Sequence, residues 1–348
     1  MVRPPMIVDR AFLLALPVAA AGGLAAWRIG IPVPFLLGSS LASAATVLAG
    51  INFKLPEPLR IFAFFILGIQ VGAGVTPAAM EQVSLWPLSF AALLVAVFLT
   101  ILSTFLYLRG ARGWDRQTAF FASLPGALSF VLAAAQETSA DHRAVTILQT
   151  IRLFLIIGIV VPLIALFEGG AHPVMIQAAP ENALWQYLLL GVCGVLGAVT
   201  GHLSKLPGGM MLGALLASAA LFGTSAVTVH LPPPLANSGM VVLGMVIGGR
   251  FTGLDRNEIR RLFPASFFAF AIGTLAAASV GLLLHWTTGI SASKIALAFV
   301  PGALEAMTVI SFYLGIDPAY VAAHHVARFL FIALAVPFVA RWLGRKHR

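Results

Sequence analysis

Long apolar runs separated by short polar connections organise this chain. They fall near 11–28, 34–50, 59–76, 85–108, 117–136 and 145–166, and a second set falls near 185–203, 209–226, 235–252, 263–285, 295–313 and 320–340. A helix needs about 17 to 25 mostly apolar residues to cross the hydrocarbon of a bilayer, and runs of that length recur throughout. The period-two alternation of an outer-membrane barrel strand is absent. The pattern predicts an all-α polytopic membrane protein. The first run follows Arg3 and Arg10 and has the outline of a signal peptide. Because it has a counterpart at 185–203, it is read as a retained first helix.

The two sets of runs are copies. "LPGALSFVLAAAQETSADHRAVTILQTIRLFLI" at 124–156 aligns without gaps to "VPGALEAMTVISFYLGIDPAYVAAHHVARFLFI" at 300–332, an offset of 176. "LLGSSLASAA" at 36–45 matches "MLGALLASAA" at 211–220, "LPEPL" at 55–59 matches "LPPPL" at 231–235, and "LGIQVG" at 67–72 matches "LGMVIG" at 243–248. Internal self-similarity in this order marks a duplicated unit, with residues 1–175 as the first repeat and 176–348 as the second. The boundary lies in the polar stretch 167–182.

Charge then sets the expected orientation. The loop 109–116 carries Arg109, Arg112 and Arg116, and 77–84 carries no Lys or Arg. In the second half 250–261 carries Arg250, Arg256, Arg260 and Arg261, and 286–293 carries none, with Lys294 just beyond as the one dissenter. Basic loops favour the cytoplasm, so the halves are expected to be inverted, each with an odd number of crossings. The Pro-Gly-interrupted segments 117–136 and 295–313 are the candidates not to cross. The expectation is therefore about five transmembrane helices plus one re-entrant or broken helix per half. Both termini would be cytoplasmic.

Composition agrees with a lipid setting: 60% of the chain is hydrophobic, only 9% is charged, and mean hydropathy is +0.98. Soluble domains carry about 25% charged residues. The net charge of +9 does not indicate nucleic-acid binding, because the basic residues are scattered singly or in short loops. The single cysteine, Cys193, excludes an intrachain disulfide and any multi-cysteine metal site. No Walker motif occurs, so direct use of ATP is not expected.

Candidate chemistry gathers at the breaks, Pro125–Gly126 and Pro301–Gly302. Interrupted helices at membrane depth are tolerated where protein or water satisfies the backbone, and paired ones in inverted repeats commonly form a midplane transport site. Glu305 is the only acid well inside an apolar run, which suits a proton or cation carrier. If Gly302 is the N-cap, it could instead cap the helix from the third position. Ser129 holds the matching place in the first half. Arg152 and Arg328 lie inside apolar helices, on faces shared with Asp141, Val145 and Gln149 and with Asp317, Val321, His324 and His325. They could grip a carboxylate or phosphate, or tie down free carbonyls beside the breaks; the sequence leaves both open. His325, matching Gln149, could handle a proton. No residues stand at metal-ligand spacing, so no metal or other cofactor is expected. The small residues of Gly38–Ala45 and Gly213–Ala220 suit close helix packing.

On the motifs at 125–155 and 301–331, the chain resembles the AbrB-type membrane proteins of Gram-negative bacteria, a family defined by this duplication. Ala127 and Ala303 stand where the family pattern often has a second glycine, and Glu305 where an Asp can occur. The resemblance implies an inner-membrane transporter, although family labels also speak of regulation and of ammonia monooxygenase. A monooxygenase would need a redox metal site and a DNA-binding regulator a soluble domain; the sequence offers neither. The expected function is non-enzymatic, ion-coupled transport of a small, anionic organic solute. The alternatives are a membrane-embedded sensor or an exporter of toxic compounds. Expected partners are a small-molecule or ion substrate and the lipid bilayer, with homo-oligomerisation compatible and no nucleic acid.

Overall fold

In a computed structural model, residues 9–74, 86–126, 128–135, 138–168, 184–205 and 208–344 are described, and no strand occurs among them. The loop 77–84, most of the connector 167–182, Arg3 and the last four residues lie outside the described set, as does the Ser129 side chain. The first half forms α1 (Arg10–Arg28), α2 (Pro34–Leu48), α3 (Glu57–Gly72), α4 (Trp86–Ala111), α5 (Arg116–Ser123), α6 (Leu128–Ala135) and α7 (His142–Phe167). The second half repeats the order with α8 (Leu184–Leu203), α9 (Gly209–Gly223), α10 (Pro233–Gly248), α11 (Arg256–Thr288), α12 (Ala292–Phe299), α13 (Leu304–Tyr313) and α14 (Pro318–Gly344). Every apolar run falls on a helix, and each Pro-Gly run falls on two.

Local chemistry fixes the ends. All five aspartates of the chain stand at helix starts, where each carboxylate accepts from backbone N–H groups of the first turn. An N-cap of this kind is worth about 1 kcal/mol. Asp141 and Asp317 thus open α7 and α14. At the breaks, Leu124 and Val300 are extended (ψ 123° and 135°). The residue before a proline is pushed out of the helical region, so α5 and α12 stop there. Within α7 a π-helical stretch at Ile156–Val160 precedes Pro162, which lacks the N–H that a regular ladder needs.

Among the described residues, α1, α4, α7, α8, α11 and α14 each hold a stretch long and apolar enough to cross a membrane. α2 and α9 have 15 residues and α3 and α10 have 16. At 1.5 Å per residue that is about 22–24 Å, short of the ~30 Å hydrocarbon. The runs at 34–50 and 59–76 had suggested longer helices. Gly50, in the left-handed region at φ +98°, ends α2 early.

The chain divides into two compact units, and neither is a repeat. One comprises residues 1–77, 169–253 and 312–315, hence α1–α3 with α8–α10. Its helices meet through glycines. A Cβ on Gly72 would lie 2.5 Å from Cβ of Ser218, and one on Gly248 would lie 2.5 Å from Cβ of Ser43. Gly68 abuts Met211 and Ala214, just as Gly244 abuts Leu36 and Ser39. These pairs run in register, so α3 is parallel to α9 and α2 is parallel to α10. Gly22 against Gly38, and Gly197 against Gly213, pair α1 with α2 and α8 with α9 in antiparallel fashion. Without aqueous solvent to drive burial, such close backbone approach is the main source of helix association in lipid.

The other unit comprises residues 78–168, 254–311 and 316–348, and holds α4–α7 with α11–α14 apart from the tip of α13. At its centre α4 and α11 run antiparallel, with Thr100 Oγ1 donating to the Gly273 carbonyl at 3.1 Å and Thr104 Oγ1 donating to that of Ala269 at 3.5 Å. Arg143 on α7 reaches Glu258 on α11 at 3.7 Å, an exposed pair of little energetic weight. All four helices of the two breaks belong to this unit.

Candidate functional site

Each break is held by the helix that follows it. In the first half the amide of Asp141 donates to Thr118 Oγ1 at 2.7 Å, Gln149 Nε2 donates to the Phe121 carbonyl at 3.3 Å, and Arg152 Nη2 donates to the Leu124 carbonyl at 3.1 Å. In the second half Lys294 pairs with Asp317 at 2.8 Å, His325 Nε2 meets the Leu297 carbonyl at 3.0 Å, and Arg328 Nη1 donates to the Val300 carbonyl at 2.7 Å. Residue for residue these are the same three rungs, shifted by 176. They make α7 parallel to α5 and α14 parallel to α12. The chain between the start of α12 and the start of α14 therefore returns to the level at which it began, and so does its first-half counterpart.

The choice of carbonyls has a direct cause. The oxygens of Phe121 and Leu297 would ordinarily take the N–H four residues on, which belongs to Pro125 or Pro301 and does not exist. Gln149 and His325 supply the missing donor. Leu124 and Val300 cap their helices, and their carbonyls go to the arginines. Arg328 also donates from Nη2 to the Gly302 carbonyl at 2.7 Å and to His325 Nδ1 at 2.7 Å. An orphaned carbonyl at this depth costs about 1–3 kcal/mol. The reading in which the arginines tie down the backbone thus describes the partners they have, and the guanidinium of Arg328 is directed at the protein's own carbonyls.

Its charge remains. Arg328 is 3% exposed and forms no ion pair among the described residues. Arg152, 7% exposed, lies close enough for the two charges to act on each other. α6 and α13 start at the same breaks, and the carbonyls of Phe121, Leu124, Leu297 and Val300 that face them are taken by the side chains above.

Pro125, Pro301 and Gly302 are buried, and Gly126 is half-buried. A Cβ on Gly302 would stand 2.6 Å from Cγ of Met307. The first break also packs on α14: Phe130 meets the ring of Phe329 edge-on at 5.6 Å, and Gly126 faces Ile332. Both broken hairpins therefore lean on the α14 segment that carries Arg328. Glu305 lies in the first turn of α13, half-buried, with no hydrogen bond or ion pair among the described residues. Met307 N donates to the Ala303 carbonyl at 3.0 Å, so α13 starts one residue later than the sequence suggested. Glu305 is then its second residue, not the third, and does not reach back to an N-cap amide.

Some residues of this site were not read from the sequence. Lys294, half of a buried ion pair, lies in the first turn of α12. It also lies 4.7 Å from the ring centroid of Tyr320. The Tyr320 hydroxyl bonds Ser89 Oγ, which meets His324 Nε2 at 2.8 Å, and His324 Nδ1 donates to the Tyr320 carbonyl at 2.7 Å. His324 stacks on Phe90 at 4.4 Å. The first half has Thr118, Ala144 and Leu148 where the second has Lys294, Tyr320 and His324. That line-by-line difference between the copies was the available signal.

A relative from Escherichia coli (strain K12), provisionally named a regulator, AbrB, is 28% identical over 326 residues, covering 91% of each chain. The protein YhjN of Bacillus subtilis (strain 168), whose name states no activity, is 26% identical over 362 residues, covering 95% of this chain and 92% of its own. The family described as Transition state regulatory protein AbrB matches residues 35–344, and the chain belongs to the AbrB family.

Proposed function

We propose that this protein is a secondary transporter of a small, anionic organic solute, ion-coupled, with its site at the paired breaks. One observation carries the reading. Arg328 is buried beside both broken hairpins without an acidic partner among the described residues, and the half-helix starts add to its positive field. A charge left uncompensated at such depth is costly, and a substrate carboxylate or phosphate would compensate it. Glu305, partly open and unpartnered on the first turn of α13, is the group placed to carry the coupling proton or cation.

The two halves are inverted in this reading. The antiparallel crossing of the counterparts α4 and α11 supports that, as does the in-register pairing of α2 with α10 and of α3 with α9. With both broken segments returning to the level they left, each half crosses an odd number of times, and both termini lie in the cytoplasm of a bacterial inner membrane. The names of the family and of the Escherichia coli relative favour a second reading, a membrane-embedded regulator that moves nothing. Export of toxic compounds is a third.

The test is uptake of radiolabelled mono-, di- and tricarboxylates and phosphate esters into proteoliposomes under imposed proton or sodium gradients. Gradient-dependent uptake of an anion, with the gradient dependence lost in Glu305→Gln, is expected. No transport of any class in folded, oriented protein would favour the sensor. Transport with unchanged coupling in Glu305→Gln would remove Glu305 from the mechanism.

A further inference from the structure

His325 is locked in one protonation form by its two neighbours. Its Nδ1 lies 2.7 Å from Arg328 Nη2, a nitrogen that can only donate, so Nδ1 must present its lone pair. Its Nε2 lies 3.0 Å from the Leu297 carbonyl, which can only accept, so Nε2 carries the hydrogen. The ring is neutral and full: a second proton has no seat while Arg328 stays. Adjacent His324 differs. With Nδ1 donating to the Tyr320 carbonyl and Nε2 facing the Ser89 hydroxyl, it keeps both bonds in either charge state once Ser89 and Tyr320 rotate their hydrogens.

We infer that His325 and Arg328 form a proton-released latch on the second broken hairpin. Arg328 holds the Val300 and Gly302 carbonyls on either side of Pro301 at 2.7 Å each, and the same Nη2 that takes Gly302 also takes His325 Nδ1. A proton arriving from water on Nδ1 removes that acceptor and sets a cation against the guanidinium. Arg328 must then withdraw, and the break loses the donors that fix it. The first hairpin lacks this device, because Gln149 makes the equivalent bond to Phe121 without a titratable group. The second hairpin is thereby the pH-responsive one of the pair. The inference rests on the carrier reading for its part in coupling, though not for its existence.

The surrounding charges leave the latch as the responding element. Of the helices packed against α14, α12 offers Lys294, already paired with Asp317, and α6 carries no ionisable side chain. On α5 the ionisable residue is Arg116, and on α4 Tyr107 and Arg109 lie at the far end. Arg152 on α7 adds a second fixed positive charge near Arg328. Glu305 lies beyond the break on α13.

The closed latch offers no seat for a proton at Nδ1, whereas in an open one that lone pair is free to take a proton. Linkage then makes opening easier as the pH falls, by at most about tenfold for each pH unit. Hydrogen exchange of the full chain in lipid nanodiscs, corrected for intrinsic rates, reads this at the amides of residues 302–308, with 128–132 as the internal reference. Protection at 302–308 is expected to fall on acidification, by up to about tenfold per pH unit, while 128–132 stays flat. His325→Gln, which restores the first-half residue, should flatten the response, and Gln149→His should transfer it to 128–132. A flat wild-type response, or one undiminished in His325→Gln, overturns the latch. If His325→Gln does not fold, the contrast between the hairpins and the Gln149→His variant still decide. No substrate enters this measurement, so failure of the carrier reading leaves its outcome intact, and ion-coupled transport with flat exchange sinks the latch alone.

Discussion

Arg328 and Gly302 meet through a hydrogen bond of 2.7 Å that crosses the second break, joining the helix after the hairpin to the turn inside it. The same guanidinium holds Val300, so one side chain spans both flanks of Pro301. A lysine has the charge but not the planar fork. Arg328→Lys is therefore expected to fold with lowered stability and Arg328→Ala to fare worse. The alanine variant should lose about 3 kcal/mol or more from orphaned carbonyls and a lost network. Thermal melting of purified protein in detergent gives the order; equal melting of all three forms would show that the fork is not what holds the break.

His325 and Pro301 are tied through the Leu297 carbonyl, which lacks its usual partner because residue 301 has no N–H. His325→Leu should destabilise the protein by about 1–3 kcal/mol. In a Pro301→Ala background the alanine N–H can serve the same oxygen, so the penalty of His325→Leu should shrink toward zero. A double-mutant cycle by chemical denaturation measures the coupling. Additive effects would mean that His325 acts through contacts other than this carbonyl.

Much of this arrangement was legible in the sequence. The Pro-Gly pairs, the offset of 176 and the apolar runs located the helices of the described residues, because backbone hydrogen bonding in lipid leaves a helix as the form such a run must take. The partition of those helices was not legible. Which faces of α2, α3, α9 and α10 meet depends on glycine contacts such as Gly72 with Ser218 and Gly248 with Ser43, between residues far apart in the chain. The interleaving of the halves into two units follows from those contacts. Glu305 was placed one helical position late, since Ala303 rather than Gly302 is the N-cap of α13. Asp141 and Asp317 were visible as polar residues in register with the arginines, but their role as helix starters depends on where the preceding turn ends.

Lys294 illustrates how the copies diverged. Its counterpart Thr118 accepts the amide of Asp141 at 2.7 Å, whereas Lys294 pairs with the carboxylate of Asp317 at 2.8 Å, each side chain about 10% exposed. Removing one partner of a buried pair costs about 3–5 kcal/mol. Lys294→Met and Asp317→Asn should each destabilise strongly, and the double variant should be less unstable than their sum. Lys294→Thr, which restores the first-half residue, should lie between Lys294→Met and wild type. Denaturation midpoints at fixed lipid or detergent composition report this. A sum that is simply additive would mean the two charges do not hold each other.

The inverted relation of the halves is the claim on which the carrier reading stands. The chain has one cysteine, Cys193, so after Cys193→Ser a single cysteine can be placed at Arg112 or at Arg256, both exposed at the ends of basic loops. A membrane-impermeant maleimide is then applied to sealed right-side-out and inside-out vesicles. Both positions should react from the cytoplasmic side alone. Labelling of Arg112→Cys and Arg256→Cys from opposite sides would contradict the inversion, and with it the paired midplane breaks of a carrier.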